Sequence, residues 1–425
     1  MGLKFLHSSD WHLGKSLFAK SLLLDQTSCL RELEDIIASE KPDLILLAGD
    51  LFDRSVPPED AVKLLDRFLA KTVLELKVPV AMIPGNHDSS TRVGVGAELL
   101  RGSGLHVFST PESIETPLRI EAGGVKSSVY GIPYLEPAEW NFYFQSKDAS
   151  SSIENRAPQE NRAPLRTHAD ALTAILESLK PQLARDKTEG RRSVLILHAY
   201  VTGGEPSESE RPLSIGGSDL VPAELLKDFD YVALGHLHRP QKIGSERIRY
   251  PGSLFCYSQS EAGQNKGVVL ATLETKPADD TFRFREFETT RKLVVARGTL
   301  DELVASAALT SGSGSGSGSE DSFEKFHNYV IVILTDQTLP FEAFRRLSAV
   351  YPGLLHVGRE MTWSRSDAEE ADRQARSHGR EISDRDVLAQ FIAGVSTNEL
   401  SDADREWLLG QLESFTKSEA EAGRV

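Results

Sequence analysis

In the first 88 residues three apolar runs alternate with two amphipathic stretches, and each run stops at a cluster of Asp, Asn and His. Leu3 to His7 leads into Ser8-Ser9-Asp10-Trp11-His12, and Asp43 to Ala48 into Gly49-Asp50-Leu51-Phe52-Asp53. Val78 to Ile83 leads into Pro84-Gly85-Asn86-His87-Asp88, where Pro-Gly forces a turn. Between them, Leu30, Leu33, Ile36 and Ile37 give Leu22 to Ser39 a helical spacing that ends before Pro42. Ala61, Leu64, Leu65, Phe68 and Leu69 do the same after Pro57-Pro58. Strand, helix, strand, helix, strand predicts an α/β (α+β layered) fold with helices packed on a sheet. Ligands of such sheets bind at the carboxyl ends of the strands, where these polar clusters fall.

The same pattern continues. Val194 to Leu197 ends at His198, and Tyr231 to Leu234 ends in Gly235-His236-Leu237-His238. Further strands are expected at Leu105 to Phe108, Leu118 to Glu121 and Val129 to Ile132, and a helix at Thr167 to Leu179. Arg247 to Tyr250, Gly267 to Leu273 and Thr281 to Phe287 alternate as antiparallel strands do, and should complete a second sheet against the first. Polar Gln145 to Pro164, with its near-duplication of Glu-Asn-Arg-Ala-Pro, reads as a surface loop. Gly203 to Ser218, rich in Gly, Ser, Pro and Glu, reads as a mobile loop near a strand end.

At 425 residues the chain should hold more than one domain. No apolar run approaches the ~18 residues of a membrane span, and the opening residues lead straight into a strand without a leader pattern. With only Cys29 and Cys256, no disulfide framework is expected, and a reducing cytoplasm is the default location. The net charge of −15 argues against holding nucleic acid by bulk electrostatics. A DNA substrate would then need bound cations, a local basic patch or a basic partner.

Five strand ends thus supply Asp10 and His12, Asp50, Asn86 and His87, His198, and His236 and His238. A lone His at such a place is usually structural, but eight such residues, each just after an apolar strand, point to a metal site. Carboxylate, imidazole and amide donors without thiolate suit Mn²⁺, Fe²⁺ or Zn²⁺. Alternate residues of an extended segment share a side, so Asp10 with His12, and His236 with His238, are expected to face one cleft.

In order, Asp-x-His, Gly-Asp-Leu-Phe-Asp, Gly-Asn-His-Asp, a strand-end His and Gly-His-Leu-His resemble the calcineurin-like metallophosphoesterases. The segments His7-Ser8-Ser9-Asp10-Trp11-His12-Leu13-Gly14-Lys15, Tyr250-Pro251-Gly252-Ser253 and Ser258-Gln259-Ser260-Glu261-Ala262-Gly263 are similar to the D subunits of bacterial SbcCD nucleases. This resemblance covers about residues 1–290, and the C-terminal third by layout only. It implies a two-sheet metallophosphoesterase sandwich flanked by helices, with a small α+β capping domain and C-terminal helices. It also implies two divalent ions, most simply Mn²⁺. Asp10, His12 and His238 would hold one, Asn86, His198 and His236 the other, and Asp50 would bridge them. Two cations ~3.5–4 Å apart clamp the attacking and leaving oxygens of a phosphoryl displacement. His87 would be the catalytic histidine outside the metals. Asp53 and Asp88 would orient the imidazoles and the turn, or simply stabilise the turn.

The implied function is a DNA nuclease subunit, a double-strand 3′→5′ exonuclease and single-strand or hairpin endonuclease. It would act with an SbcC-like ATPase, as a homodimer, in DNA repair, recombination and replication. A phosphatase or cyclic-nucleotide phosphodiesterase on the same scaffold is the alternative. A non-catalytic scaffold is disfavoured, because every metal-site and catalytic position carries a competent residue. Arg54, Arg92, Arg211, Arg239 and Lys242 lie near the metal-bearing loops as candidate DNA contacts, or as ordinary solvated cations.

After Arg291 the composition shifts. Leu293 to Ala296, Leu300 to Ala308, Tyr329 to Leu334 and Phe341 to Leu347 suggest a small α+β domain over residues 291–365, which the resemblance implies is a DNA-capping domain, interrupted by the Gly-Ser linker 311–319. A charged spacer at 366–380 precedes a helical segment at 381–418. There Val387, Leu388, Phe391 and Ile392, then Trp407, Leu408, Leu412 and Phe415, form two apolar stripes. They either pack on the chain's own core or dock on a partner such as the ATPase.

Overall fold

Two six-stranded sheets form the centre of the fold. The computed structural model describes residues 2–153, 164–210, 220–288, 291–310, 328–336, 338 and 340–360. The expected linker 311–319, the spacer 366–380, the stripes of 381–418, Arg211 and all but Pro164 of the Glu-Asn-Arg-Ala-Pro duplication lie outside these residues.

The first sheet begins with β1 (Leu3–Ser8), β2 (Leu44–Ala48), β3 (Val80–Ile83) and β4 (Leu105–Val107), all parallel neighbours in that order. Helix α1 (Leu23–Glu40) connects β1 to β2, and α2 (Glu59–Ala70) connects β2 to β3. Lys41, in the left-handed conformation with φ 49°, ends α1 just ahead of Pro42. The buried face of α2 is Ala61, Leu64, Leu65 and Phe68, the spacing read from the sequence.

The chain then builds the second sheet with β5 (Leu118–Ala122), β6 (Val125–Ile132), β7 (Arg192–His198), β8 (Tyr231–Gly235), β9 (Gln241–Ile243) and β10 (Ser245–Tyr250). Their order is β9-β10-β8-β7-β6-β5, with β6, β7, β8 and β10 parallel and the two edges closed by antiparallel hairpins. It returns with β11 (Gly267–Leu273) and β12 (Thr281–Glu286). These join the first sheet beside β1, antiparallel, rather than completing the second as alternation alone suggested. Alternation reports that one face is buried, not which sheet buries it.

The two sheets face each other across a core of alternate residues. Leu3 and Phe5, Leu44 and Leu46, and Ala81 and Ile83 from one sheet meet Val194 and Ile196, Tyr231 and Ala233 from the other. The outer face of the second sheet, including Leu195, Leu197, Val232 and Leu234, is covered by α3 (Pro137–Ile153) and α4 (His168–Thr188). Helix α3 occupies part of the stretch expected as loop, because Trp140, Tyr143 and Phe144 supply a buried face at helical spacing. Helix α4 runs through Pro181 and past the expected end at Leu179. Its buried Asp186, in the last turns, accepts the Tyr130 hydroxyl and Arg119.

The described residues group into two compact units. One comprises residues up to 295 with 328–331 and 353–356, and the other 296–310, 332–352 and 357–360. Strands β13 (Leu293–Gly298), β14 (Tyr329–Leu334) and β15 (Leu354–Arg359) form a three-stranded sheet in that order. The second unit contains α5 (Leu300–Thr310) and α6 (Ala343–Ser348), joined by an Arg346–Asp301 ion pair of 2.6 Å.

Candidate metal centre

Parallel pairing turns five separate loops into one site. β1, β2 and β3 end side by side in the first sheet, and β7 and β8 end side by side in the second. Asp10, His12, Asp50, His87, His198, His236 and His238 are all buried there, and Asn86 is half-buried. Backbone bonds tie the loops together. Asp10 N–H donates to Gly49 O at 3.0 Å and His12 N–H to Asp50 O at 2.9 Å. His87 N–H donates to Asp50 Oδ1 at 2.8 Å, and His236 N–H reaches both oxygens of Asp10 at 2.9 and 3.1 Å.

The expected extended geometry around Asp10 and His12 is wrong. Their φ angles are 53° and 44°, and Asp50 and His236 also have positive φ, at 50° and 109°. Four candidate ligands therefore sit in backbone conformations that side-chain-bearing residues rarely adopt, at a cost of order 1–3 kcal/mol each. The cross-loop bonds hold them there. The result is still convergence: donor atoms of Asp10, His12 and His238 lie within 4.8 Å of one another, as do those of Asp10, Asp50 and His198. Close approach of the strands also needs glycine. Gly49 has φ +89°, and a Cβ there would lie 2.5 Å from His198 Nδ1; a Cβ on Gly235 would run into Ala48 O.

Asp50 Oδ2 lies 3.5 Å from His12 Nε2 and 3.6 Å from His198 Nε2. On the His12 side, His238 Nε2 is 3.0 Å from His12 Nε2. On the other, Asn86 Oδ1 is 2.9 Å from His198 Nε2 and 3.3 Å from His236 Nδ1. His198 Nδ1 is 2.9 Å from Ala48 O. A carbonyl only accepts, so His198 Nδ1 donates to Ala48 O, and Nε2 is the ring nitrogen that faces the amide and carboxylate oxygens. Burial, reinforced by neighbouring cationic groups, holds His12 and His236 far below the usual histidine range, so these two rings are neutral. Burial likewise pushes Asp10 up to about 6, against the pull of His198 and His238. Imidazoles and carboxylates crowded together at these distances are costly in a bare interior. They are the donor set that divalent cations accept, and in this respect the residues fit two ions on either side of Asp50.

His87 packs edge-on against His12, ring centroids 4.6 Å apart. Its Nδ1 donates to Asp53 O at 2.8 Å, and its Nε2 lies 4.0 Å from Asp50 Oδ2. The Asp53 carboxylate is 3.7 Å from His12 Nδ1 and paired with Lys15 at 2.7 Å. Asp88 works at a distance from the imidazoles: its oxygens accept Leu51 N–H, Phe52 N–H and Gly85 N–H at 3.0, 2.9 and 2.9 Å. It pins the Asp50 loop to the Asn86 turn. Of the candidate DNA contacts, Arg54 and Arg92 are exposed, and Arg92 donates to Ser55 O at 2.8 Å. Arg239 and Lys242 are exposed and ion-paired with Glu205 and Glu246.

Several supporting residues escaped the sequence reading. The Gln26 amide donates to Trp11 O and His12 O at 3.1 and 2.7 Å and fixes that loop from α1. Glu261, fully buried, approaches His238 Nδ1 at 3.4 Å. Glu261 lies within a quoted motif, but nothing in that segment alone indicates what it faces.

Residues 3–240 match the calcineurin-like phosphoesterase family. The chain belongs to that family. This calcineurin-like phosphoesterase has candidate metal-binding residues gathered at its strand ends. It is similar to TT1561 of Thermus thermophilus, at 16% identity and TM-score 0.36, over 67% of this chain and 99% of that one. It is also similar to a dimetal phosphatase from Danio rerio, at 13% identity and TM-score 0.40, over 67% and 97% of the two chains. A third similar structure is GAP50, the anchor in the inner membrane complex of Plasmodium, at 14% identity and TM-score 0.38, over 67% and 84%. Among the described residues no helix is long and apolar enough to cross a membrane.

Proposed function

We propose that this phosphoesterase hydrolyses phosphodiester bonds of DNA, as the nuclease subunit of an assembly with an SbcC-like ATPase. The observation that carries the hydrolytic part is the position of Asp50 Oδ2, 3.5 and 3.6 Å from ligand nitrogens of two separate donor groups. Asp10, His12 and His238 would hold one divalent ion and Asn86, His198 and His236 the other, with Asp50 shared. When bound, two such ions supply Lewis acidity and clamp the oxygens of an in-line displacement. Mn²⁺ is the ion we favour for this donor set.

The chain's own residues do the remaining work. His87, oriented through Nδ1 by Asp53 O, presents Nε2 toward Asp50 and can hold a proton there for the leaving oxygen or for charge on the phosphoryl group. Because His87 N–H also donates to Asp50 Oδ1, the acid and the shared carboxylate move as one piece. Burial of the ligands keeps bulk water away from them.

DNA rather than a small phosphoester is favoured by the His7 to Lys15 and Tyr250 to Gly263 segments, which resemble the SbcCD nuclease subunits. With a net charge of −15, part of the DNA grip would fall to the ions and to the partner, and a homodimer is proposed as the working unit by the same resemblance. The test is Mn²⁺-dependent cleavage of an end-labelled hairpin DNA, with and without an SbcC-like ATPase, by wild type, His87→Ala and Asp50→Ala. Loss of cleavage by at least about 100-fold in both variants, with Mn²⁺ still bound by His87→Ala, supports the proposal. Fast hydrolysis of a small phosphoester by a wild type that never cuts DNA transfers the assignment to a phosphatase.

A further inference from the structure

His238 is gripped from behind more thoroughly than any packing role requires. Its Nδ1 lies 2.6 Å from Ser209 Oγ and 3.4 Å from Glu261 Oε1, and the Ser209 hydroxyl itself donates to Glu261. Its backbone N–H donates to Glu210 Oε1 at 2.7 Å, and its carbonyl accepts Lys266 Nζ at 2.8 Å. Lys266 also pairs with Glu261 Oε2 at 2.6 Å, and Ser253 and Ser258 donate to the same carboxylate at 3.1 and 3.0 Å. Glu261 is 0% exposed and Lys266 6%.

A buried ion pair of this kind is an expensive way to stabilise a fold, since well-packed apolar residues often do as well or better. Its placement supplies the reason. The Ser209 hydroxyl spends its proton on Glu261, so its lone pair must receive one from His238 Nδ1. That fixes the tautomer and leaves Nε2, the atom facing His12, as the ligating nitrogen. Carboxylates behind metal-bound histidines set ring orientation and basicity in this way.

We infer that Ser209, Glu261 and Lys266 form a positioning node that holds His238 Nε2 toward one of the two ions. The node sets the affinity of that ion selectively. Ser209 and Glu261 touch neither substrate nor reacting atoms; they are positioning residues, and Lys266 keeps Glu261 ionised in its dry site. The inference rests on the dinuclear reading above and adds residues that no motif assigned.

The experiment is calorimetric titration of Mn²⁺ into the full chain, paired with Co²⁺ absorption spectra. It compares wild type, Ser209→Ala, Ser209→Thr and the double variant Glu261→Gln with Lys266→Met. The double variant removes both buried charges together, so neither is stranded. Wild type should bind two ions. Ser209→Ala and the double variant should lose about 10- to 100-fold in affinity at one site, with the other site unchanged. The Co²⁺ bands of that one ion should shift, and Ser209→Thr should restore wild-type binding. Wild-type affinity at both sites in Ser209→Ala and the double variant overturns the node while leaving the metal centre standing. Equal loss at both sites overturns it as well, being the mark of a general loosening. A wild type that binds no Mn²⁺ overturns the dinuclear reading itself.

Discussion

Replacing Asp88 should damage the molecule far more than replacing an ordinary turn aspartate. In the sequence Asp88 has two competing roles, an orienter near the metal or a turn stabiliser. In the structure its carboxylate accepts three backbone N–H groups, from Leu51, Phe52 and Gly85, at 2.9–3.0 Å. Hydrogen bonds to a charged group contribute roughly 1.5–3 kcal/mol each, and a donor left unpaired in the interior costs about 1–3 kcal/mol. Burial, reinforced by Asp50, raises the Asp88 carboxyl to about 7, so near neutral pH these bonds carry only part of the charge-assisted strength. Asp88→Ala should therefore lose about 3 kcal/mol, below the roughly 4.5 kcal/mol that three fully charge-assisted bonds would contribute at the low end. Asp88→Asn keeps one oxygen acceptor but turns an NH₂ toward a backbone donor, and should lose about half as much. Urea denaturation followed by tryptophan fluorescence reports on this unit, because Trp11 and Trp140 are buried within it. Amide hydrogen exchange at Leu51, Phe52 and Gly85 supplies the local readout, with faster exchange at all three in Asp88→Ala. A loss below about 0.5 kcal/mol, or unchanged exchange at those amides, refutes the claim that Asp88 ties the two loops together.

Two other outcomes follow from the packing around the centre. His7, buried between the Tyr231 hydroxyl and Leu234 O at 3.0 and 3.1 Å, is lowered by burial to about 3. A histidine whose folded pKa is depressed adds stability that is present above its unfolded value near 6.5 and is lost as pH falls toward 3. Between pH 7.5 and 5 this contributes about 2 kcal/mol of acid destabilisation, so His7→Gln should lose about 2 kcal/mol less than wild type over that interval; identical pH slopes would refute it. Gly49→Ala places a methyl group 2.5 Å from His198 Nδ1 at φ +89°. It should lower the melting temperature and weaken Mn²⁺ binding together; a variant with wild-type values of both would show that the strand ends can spread.

Much of the centre was legible because its geometry is simple at the level of chain order. Parallel strands put every carboxyl end on one edge, so Asp10, Asp50, Asn86, His198 and His236 can be grouped from their positions after apolar runs alone. The local reason given for Asp10 and His12 failed, since their left-handed backbones depend on bonds to Gly49 and Asp50, which lie about forty residues away in sequence. The same limit hid the sheet membership of β11 and β12. It also hid α3, whose buried Trp140, Tyr143 and Phe144 lie just before the polar stretch that the helix runs into. Glu261 and Gln26 were beyond reach for a related reason. A polar residue that serves a ligand from another loop has no periodicity and no neighbouring partner to mark it.

The most direct test of the central claim is a crystal structure of the chain with Mn²⁺, measured at a wavelength where manganese scatters anomalously. Two anomalous peaks are predicted, ~3.5–4 Å apart, one among Asp10, His12 and His238 and one among Asn86, His198 and His236, with Asp50 contacting both. A single peak, or peaks that do not share Asp50, would contradict the two-ion centre.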